Sequence, residues 1–330
     1  MKAAALYAAL LFAPLCPAAA DTPPVAHFDL QREDIQQFIA DQVKAGANAA
    51  KLTALISEAV PQPRIIEIMD RPAEKALPWY EYRARFLTDE RIDAGVALWR
   101  EHRDELETVA REERVSPQYI LAILGVETFY GRLTGRYRVL DALATLAFDY
   151  PARGAYFRSE LMQFAKLCDE EKFDSQSLLG SYAGAMGVAQ FMPSSYRQYA
   201  VNKDGAKARD LWHDWGDIFG SVAHYLGSFG WQYGGTVLAD SRYTRVDLPE
   251  LPSAVALNDT LGGLRARGFV IDYGAAPDTP ALVVGAPLVT GMSYRIGFKN
   301  FYVITRYNRS PLYAMAVSDL ADAIHQRMYP

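Results

Sequence analysis

A carboxyl group that continues an apolar helical stretch constrains the fold of this chain more than any other sequence feature. Ile120, Ile123 and Leu124 recur at helical spacing, and Glu127 continues the same stripe. The stripe should face the interior, so the side chain of Glu127 points towards apolar surroundings. Burial raises the pKa of a carboxyl group, and a carboxyl in such surroundings can act as a general acid near neutral pH. The alternative is a structural carboxylate that binds backbone groups or pairs with Arg132.

Residues 180–196 form a second informative segment, in which small residues are interleaved with polar and apolar side chains. The glycines and alanines allow the backbone to approach a ligand or a neighbouring helix closely. Ser181 and Gln190 offer neutral hydrogen-bonding groups beside the apolar Met186, a combination that suits the hydroxyls and C–H faces of a sugar. The alternative is a tight connection between helices, with Pro193 at a helix start.

Four motifs follow one another in the order found in a known family. They are Glu127-Thr-Phe-Tyr-Gly, Leu140-Asp-Ala-Leu-Ala-Thr-Leu, Gly184-Ala-Met-Gly-Val-Ala-Gln-Phe-Met-Pro-Ser and Tyr307-Asn308. Through these motifs the chain resembles the lytic murein transglycosylase B family, from about Phe28 to its C-terminus. The resemblance implies a mainly α fold: a lysozyme-like α-helical catalytic core with an additional N-terminal helical region and a small β-rich insertion.

The same resemblance implies the reaction, which is cleavage of the β-1,4 bond between N-acetylmuramic acid and N-acetylglucosamine in peptidoglycan. The muramic acid C6 hydroxyl closes onto C1 and leaves a 1,6-anhydro end. Glu127 matches the single catalytic acid, which protonates the leaving oxygen and then accepts the proton of the C6 hydroxyl. A two-carboxylate scheme would need a second acidic residue. Asp141 and Asp149 lie near the motifs, and we interpret Asp141 as a helix-start or hydrogen-bonding residue. The alternatives are a muramidase that transfers to water and a non-catalytic peptidoglycan-binding protein.

Further site residues are implied by the resemblance position by position. Ser181 and Gln190 match residues that hydrogen-bond the saccharide and orient Glu127, and Met186 matches the apolar side of the cleft. Relatives often have two adjacent arginines near residue 153, whereas this chain has Ala152 in the first place. The remaining substrate-binding candidates match residues that line the cleft or contact the glycan or its peptide stem: Arg153, Tyr156, Tyr307, Asn308 and Tyr313.

The resemblance raises the possibility of a calcium site, because some relatives bind one ion in the loop after the Gln-Phe-Met-Pro-Ser helix. Asn202 and Asp204 fit the first and third positions of an EF-hand, and Asp217 is a further candidate ligand. Ala206 removes the next ligand, and Lys207 replaces the glycine that the loop requires. We therefore expect no cofactor, with weak calcium binding at Asn202, Asp204 and Asp217 as the alternative.

The N-terminus and the charge balance indicate an exported protein that does not bind nucleic acid. Residues 1–20 combine one positive charge, an apolar run and the small residues Ala18-Ala-Ala20, as in a secretory signal peptide. A lipoprotein attached at Cys16 is the less favoured alternative. The net charge of −5 over 330 residues provides no basic surface for nucleic acid. We expect a periplasmic monomer that acts on peptidoglycan glycan strands, with cell-wall synthesis or remodelling proteins as further candidate partners.

The pattern along the chain predicts five regions. These are a signal peptide (1–20), an N-terminal helical region (21–111), the catalytic core (112–232), a β-rich region (233–300) and a C-terminal segment that returns to the cleft (301–330). Ser116-Pro117 and Ser310-Pro311 each predict a helix start. Cys168 lies on an apolar helical stripe, which predicts a buried thiol and not a nucleophile. Short runs at 236–238, 245–248, 269–271, 281–284 and 301–305 are typical of strands.

Overall fold

The structure, a computed structural model, describes residues 26–70, 77–205, 208–246, 249, 251 and 255–330. The predicted signal peptide, Cys16, Ala206 and Lys207 lie outside these ranges. In the ranges that are described, no helix is both long enough and apolar enough to cross a membrane.

In the part of the chain that the structure describes, six helices precede Glu127, in agreement with the helical pattern of this part of the sequence. Side-chain caps begin two of them: Asn48 Oδ1 accepts a hydrogen bond from the backbone N–H of Lys51, and Thr88 Oγ1 accepts one from that of Arg91. Buried aromatic and aliphatic side chains on one face of each helix join the main hydrophobic core. The helices are α1 (Glu33–Lys44), α2 (Ala49–Ser57), α3 (Pro63–Asp70), α4 (Trp79–Phe86), α5 (Asp89–Glu101) and α6 (Arg103–Glu113).

The helix that carries Glu127, α7 (Pro117–Thr128), crosses the centre of the core. Residues 120–125 are all fully buried, so this helix is enclosed on every side and not along one stripe alone. It packs against α5, α6 and two later helices, α11 (Trp215–Ser228) and α14 (Pro311–Met328). The other helices of the core are α8 (Val139–Phe148), α9 (Gly154–Glu171), α10 (Pro193–Tyr199), α11 (Trp215–Ser228), α13 (Lys299–Tyr307) and α14 (Pro311–Met328).

Among the described residues, two antiparallel sheets complete the fold. A small ribbon pairs β1 (Tyr137–Arg138) with β2 (Leu179–Gly180). The larger sheet has the strand order β4-β6-β7-β3-β5 and encloses a small core of its own with α12 (Leu261–Ala266). Its strands are β3 (Leu238–Tyr243), β4 (Asp259–Thr260), β5 (Phe269–Ile271), β6 (Pro280–Pro287) and β7 (Met292–Gly297).

The strand prediction for residues 301–305 was wrong, because this segment lies within α13. Its β-branched and aromatic residues favour a strand locally. However, Phe301, Ile304 and Thr305 are fully buried at helical spacing, so tertiary packing overrides the local preference. The runs at 269–271 and 281–284 do lie in strands, whereas β3 begins only at Leu238 and Arg245 lies beyond its end.

Candidate active site

Glu127 lies in the last turn of α7 and is partly buried. The hydroxyl of Tyr313 donates a hydrogen bond of 2.7 Å to Glu127 Oε1. Tyr313 is only 2% exposed and stands in the first turn of α14, where Ser310 Oγ accepts a hydrogen bond from its backbone N–H. The helix cap at Ser310 therefore positions the phenol that holds the carboxyl group.

A second tyrosine, Tyr307, is the last residue of α13 and lies near Glu127. Its hydroxyl donates a hydrogen bond of 2.6 Å to the backbone carbonyl of Ala189. Burial raises the pKa of the Tyr307 and Tyr313 phenols well above the ordinary value, and the nearby Glu127 carboxyl raises both further. Both phenols are therefore protonated hydrogen-bond donors throughout the neutral range of pH.

The turn that follows β2 contains Ser181 and Gln190 and is held by its own side chains. Ser181 Oγ accepts hydrogen bonds from the backbone N–H groups of Ala183 and Ala185, at 3.3 and 3.1 Å. Gln190 Nε2 donates to the backbone carbonyls of Thr134 and Gly187, at 3.0 and 2.9 Å. Gln190 thus connects this turn to the segment that follows Glu127, whereas the hydrogen bonds of Ser181 lie within the turn.

The glycines and Met186 of this segment serve packing. A Cβ atom on Gly180 would lie 2.2 Å from the carbonyl oxygen of Ala185, so the backbone itself fills the space. Met186 is fully buried, and its backbone pairs with that of Phe191 at 2.9 and 3.1 Å. The structure therefore places Met186 beneath the turn, in the core, and the close approach predicted from the glycines is to neighbouring backbone.

Aromatic rings surround Tyr307 on the side of α10 and α11. The ring of Tyr225 lies 4.8 Å from that of Tyr307 and 4.7 Å from that of Tyr199. Tyr225 also donates a hydrogen bond of 2.6 Å to the backbone carbonyl of Arg306. Sequence reasoning missed Tyr225; its only local signal is a polar hydroxyl on an otherwise apolar helix face.

Tyr82 is a second residue that the sequence did not reveal. It is 3% exposed on α4, and its phenol is close enough to contribute to the raised pKa of Tyr313, whose main cause is burial. Nothing in the sequence around Tyr82 connects it with a site more than 40 residues further along the chain.

Arg153 and Tyr156 lie together at the start of α9. The guanidinium carbon of Arg153 is 4.6 Å from the centroid of the Tyr156 ring, a cation–π distance. Tyr156 is 39% exposed, so it is not a core residue. The nearby Glu160 is 3% exposed and accepts hydrogen bonds from the backbone N–H and the hydroxyl of Ser194, at 2.9 and 2.6 Å. Glu160 thus stabilises the start of α10.

Asp141 and Asp149 both bind the N-terminal region. Asp141 lies in the first turn of α8 and accepts a hydrogen bond of 2.9 Å from the backbone N–H of Val60. Burial raises its pKa, while this bond and Arg138 lower it. Asp149 forms a 2.6 Å ion pair with Arg32. The interpretation of Asp141 as a helix-start and hydrogen-bonding residue is confirmed.

Cys168 is partly buried near the end of α9 and packs against the main core. Burial raises the pKa of its thiol to about 12, and the carboxylates of Asp169 and Asp174 act in the same direction. Because the thiolate is the reactive form, Cys168 is unsuited to nucleophilic chemistry at neutral pH.

Side-chain oxygens of the loop between α10 and α11 accept hydrogen bonds from backbone N–H groups. Both carboxylate oxygens of Asp217 accept backbone hydrogen bonds, from Lys203 at 2.6 Å and from Asp210 at 2.9 Å. Asn202 Oδ1 accepts one of 2.7 Å from the N–H of Gly205. In the described ranges, no group of three or more His, Cys, Asp or Glu residues could hold a metal ion. Of the three candidate ligands, Asp217 and Asn202 therefore bind backbone N–H groups through their side-chain oxygens.

The positively charged side chain of Arg209 holds the same loop against α9 and α10. The guanidinium of Arg209 pairs with Glu171 and donates to the carbonyls of Tyr196, Arg197 and Ala200, at 3.4, 3.3 and 3.2 Å. These carbonyls lie at the C-terminal end of α10, where the Tyr196 carbonyl also accepts a hydrogen bond of 3.0 Å from the backbone N–H of Ala200. Arg209 therefore binds carbonyl oxygens at the C-terminal end of α10.

The helical core, with a tyrosine-bound carboxyl at the end of its central helix, defines a lysozyme-like enzyme of the lytic transglycosylase class. The chain belongs to the transglycosylase SLT domain family, whose family model matches residues 30–322. It is 38% identical over 299 residues to membrane-bound lytic murein transglycosylase B of Escherichia coli K12, covering 88% of this chain and 82% of that protein.

Solved structures agree with this assignment. Catenated lytic transglycosylase SltB1 from Pseudomonas aeruginosa superposes with a TM-score of 0.84 at 41% identity, covering 90% of this chain and 98% of that one. Lytic transglycosylase Slt35 from Escherichia coli, in complex with calcium, has a TM-score of 0.82 at 36% identity, with coverages of 92% and 96%. The chain is therefore a lytic transglycosylase, an enzyme that cleaves the glycan strands of peptidoglycan.

Proposed function

We propose that Glu127 is the single acid and base of this enzyme and that the products end in 1,6-anhydromuramic acid. The hydrogen bond from the Tyr313 hydroxyl to Glu127 Oε1 carries this proposal, because it joins a carboxyl on a buried helix to a buried donor. Neither Asp141 nor Asp149 is available as a second catalytic carboxylate, since both bind the N-terminal region.

The reaction then needs one carboxyl group in two protonation states. Protonated Glu127 donates its proton to the glycosidic oxygen as the bond from muramic acid C1 to that oxygen breaks. The ionised carboxylate then accepts the proton of the C6 hydroxyl, whose oxygen forms the new bond to C1. Tyr313 stabilises the carboxylate between the two steps by donating to it. The carboxyl group ends the cycle protonated, and no water is consumed.

The substrate-binding roles follow from the same placement. Ser181 and Gln190 belong to the rigid turn whose Ala189 carbonyl binds Tyr307, and we assign saccharide contacts to that turn. Asn308 lies directly after Tyr307, in the connection to α14, and is assigned to the same surface. Arg153 and the exposed ring of Tyr156 are assigned to the glycan or its peptide stem. Met186 supports the turn from below.

We further propose a periplasmic protein that needs no calcium. The N-terminal sequence supports export, and the relative from Escherichia coli is described as membrane-bound. Slt35 has been solved with calcium, whereas the Asp217 and Asn202 oxygens of this chain bind backbone N–H groups. Arg209 supplies the positive charge in the same loop.

Mass spectrometry of the fragments released from purified peptidoglycan tests the proposal. The mature protein should release fragments that end in 1,6-anhydromuramic acid and resist borohydride reduction. Glu127→Gln should abolish release while sedimentation with peptidoglycan persists. Glu67→Gln, at an exposed glutamate that pairs with Arg64 on α3, is the matched control and should retain activity.

Each other outcome contradicts a defined part of the proposal. Reducing ends from the wild-type protein would make it a muramidase with the same acid. Normal turnover by folded Glu127→Gln would show that Glu127 is not the acid. Binding by the wild-type protein without any fragments would refute catalysis.

A further inference from the structure

Three consecutive residues directly after α7 have left-handed backbone conformations. Phe129, Tyr130 and Gly131 have φ values of +52°, +57° and +84°. Glycine adopts this conformation without strain, whereas residues with a Cβ atom, such as two successive aromatics, rarely do. Such strain persists only where the surrounding structure fixes the backbone. The chain therefore changes direction sharply within two residues of Glu127, and contacts with other elements hold that turn.

Two side chains of the turn fix it to its surroundings. The hydroxyl of Thr128 donates a hydrogen bond of 2.9 Å to the backbone carbonyl of Val188. The phenol of Tyr130 donates one of 3.0 Å to the backbone carbonyl of Arg91, on α5. A Cβ atom on Gly125 would lie 2.7 Å from the same phenol oxygen, so the Tyr130 ring fills the space beside that glycine. The turn is thus fixed to α5, to α7 and to the segment around Val188.

The guanidinium of Arg91 contacts the chain on both sides of Glu127. Its Nε donates a hydrogen bond of 3.0 Å to the backbone carbonyl of Gly125, two residues before Glu127. Its carbon lies 4.5 Å from the centroid of the Phe129 ring, two residues after Glu127. Nη1 donates to the carbonyl of Arg85 in the last turn of α4, where a helix leaves its carbonyls without partners. One planar group therefore joins the end of α4 to the end of α7.

The two guanidinium groups at the Phe129 ring differ in their other partners. The carbon of Arg132 also lies 4.5 Å from the ring centroid, but Arg132 forms an exposed ion pair of 3.3 Å with Glu90. Arg91 is partly buried and forms no ion pair with any residue that the structure describes. Its hydrogen bonds go to backbone carbonyls, so Arg91 connects chain segments and does not neutralise a carboxylate.

We propose that Arg91 is a positioning residue, which holds the Glu127 carboxyl at the Tyr313 hydroxyl through the backbone of the last turn of α7. It acts on this turn through the Gly125 carbonyl and the Phe129 ring. The Tyr313 hydroxyl lies 2.7 Å from Glu127 Oε1, and a hydrogen bond weakens steeply once its atoms move apart or out of line, so a small rotation of this turn weakens the contact. The inference rests on the proposed function, because it concerns the acid assigned there.

Arg158 on α9 offers a matched control within the same protein. Its Nε donates a hydrogen bond of 3.0 Å to the backbone carbonyl of Ala147, in the last turn of α8. Its guanidinium carbon lies 5.5 Å from the Phe148 ring. Arg158 thus makes the same two kinds of contact at the end of a different helix. Arg158→Gln and Arg91→Gln should therefore lower the free energy of unfolding to a similar extent in denaturant.

Initial rates of fragment release from purified peptidoglycan, with kcat and KM obtained separately, test the inference. Arg91→Gln should lower kcat roughly 10- to 100-fold with KM nearly unchanged, because a displaced acid slows the chemical step and leaves substrate binding intact. Arg158→Gln should retain the wild-type kcat. Arg91→Lys keeps the charge but cannot bind two carbonyls with one planar group, so it should recover only a small part of kcat.

A double-mutant cycle with Tyr313→Phe separates positioning of the acid from a general structural effect. If Arg91 acts through the contact between Glu127 and Tyr313, Arg91→Gln should lower kcat much less in the Tyr313→Phe background than in the wild type. Should Arg91→Gln fail to fold, Arg91→Lys takes its place in the cycle with the same expectation. Denaturant unfolding of each variant establishes that the rates belong to folded protein.

Four results would overturn the inference. They are a wild-type kcat in a folded Arg91 variant, a change confined to KM, an equal loss of kcat in Arg158→Gln, and effects of Arg91→Gln and Tyr313→Phe that simply multiply. Full recovery of kcat by Arg91→Lys would also contradict it, because charge alone would then suffice. Failure of the proposed function is distinct: folded Glu127→Gln would then keep normal turnover, which is measured before any Arg91 variant is compared.

Discussion

Replacing Tyr313 by Phe tests the most informative hydrogen bond in the molecule. The change removes one oxygen and leaves the ring in its buried position on α14. The lost bond spans 2.7 Å and ends on the Glu127 carboxyl. A hydrogen bond to a charged group contributes about 1.5–3 kcal/mol. If the bond stabilises the carboxylate that forms as the proton leaves Glu127, its loss raises the activation free energy by that amount. The value of kcat then falls roughly 10- to 150-fold.

The assay is the initial rate of fragment release from purified peptidoglycan, from which kcat and KM are obtained separately. Tyr196→Phe is the matched control, because Tyr196 is also fully buried and its hydroxyl donates to the Arg209 carbonyl. Both variants should lose stability by a similar amount in denaturant unfolding, yet only Tyr313→Phe should lose kcat. This comparison separates an effect on the acid from a general effect of an unsatisfied buried group.

The reasoning fails if folded Tyr313→Phe retains the wild-type kcat, since the phenol would then only fill space. It fails equally if Tyr196→Phe loses kcat to the same extent, because a distant hydroxyl cannot act on Glu127. A change confined to KM would reassign Tyr313 to substrate binding.

Three further outcomes are expected. In chemical denaturation, Gly135→Ala should lower the free energy of unfolding by roughly 1–3 kcal/mol, because Gly135 has φ +104° and an added Cβ would lie 2.0 Å from the Gly180 carbonyl oxygen. The control Gly274→Ala should leave that free energy nearly unchanged, because nothing lies within 4 Å of a Cβ added there. Chelation of calcium should leave the thermal midpoint unchanged, and a drop that added calcium reverses would contradict the description of the loop after α10. The phenols of Tyr307 and Tyr313 have a raised pKa in the folded protein, so their contribution to stability is complete below about pH 10 and is lost as the pH rises further. The phenolate absorbance of these two groups, obtained by subtracting the titrations of Tyr307→Phe and Tyr313→Phe from that of the wild type, should therefore appear only with unfolding. Its appearance in the folded protein would refute the burial of these groups.

Local sequence patterns predicted those parts of the fold that short-range physics determines. The apolar run before Glu127, the cap at Ser310 and the glycine-rich turn around Ser181 all carry their signal within a dozen residues. The roles of Ser181 and Gln190 in holding the turn are consistent with the same pattern, although their contacts with saccharide stay a prediction.

Features that depend on distant contacts could not be predicted in this way. Tyr82 and Tyr225 reach the site through the packing of α4 and α11, and nothing beside them in the chain indicates it. Residues 301–305 look like a strand because Val303 and Ile304 are β-branched, but the core requires a helix there. The acidic residues of the loop at Asp217 partly match a metal-binding pattern, and only the backbone hydrogen bonds show what the Asp217 oxygens bind.

The bond between Tyr313 and Glu127 joins residues 186 positions apart in the chain. Synthesis proceeds from the N-terminus, so the acid is made long before its donor. Loop closure over such a distance is slow and entropically costly. A partly made or C-terminally shortened chain would hold Glu127 without Tyr307 or Tyr313, because α13 and α14 come last. Cleavage of peptidoglycan should therefore begin only after α13 and α14 have been synthesised, and removal of these two helices should abolish activity although Glu127 is still present.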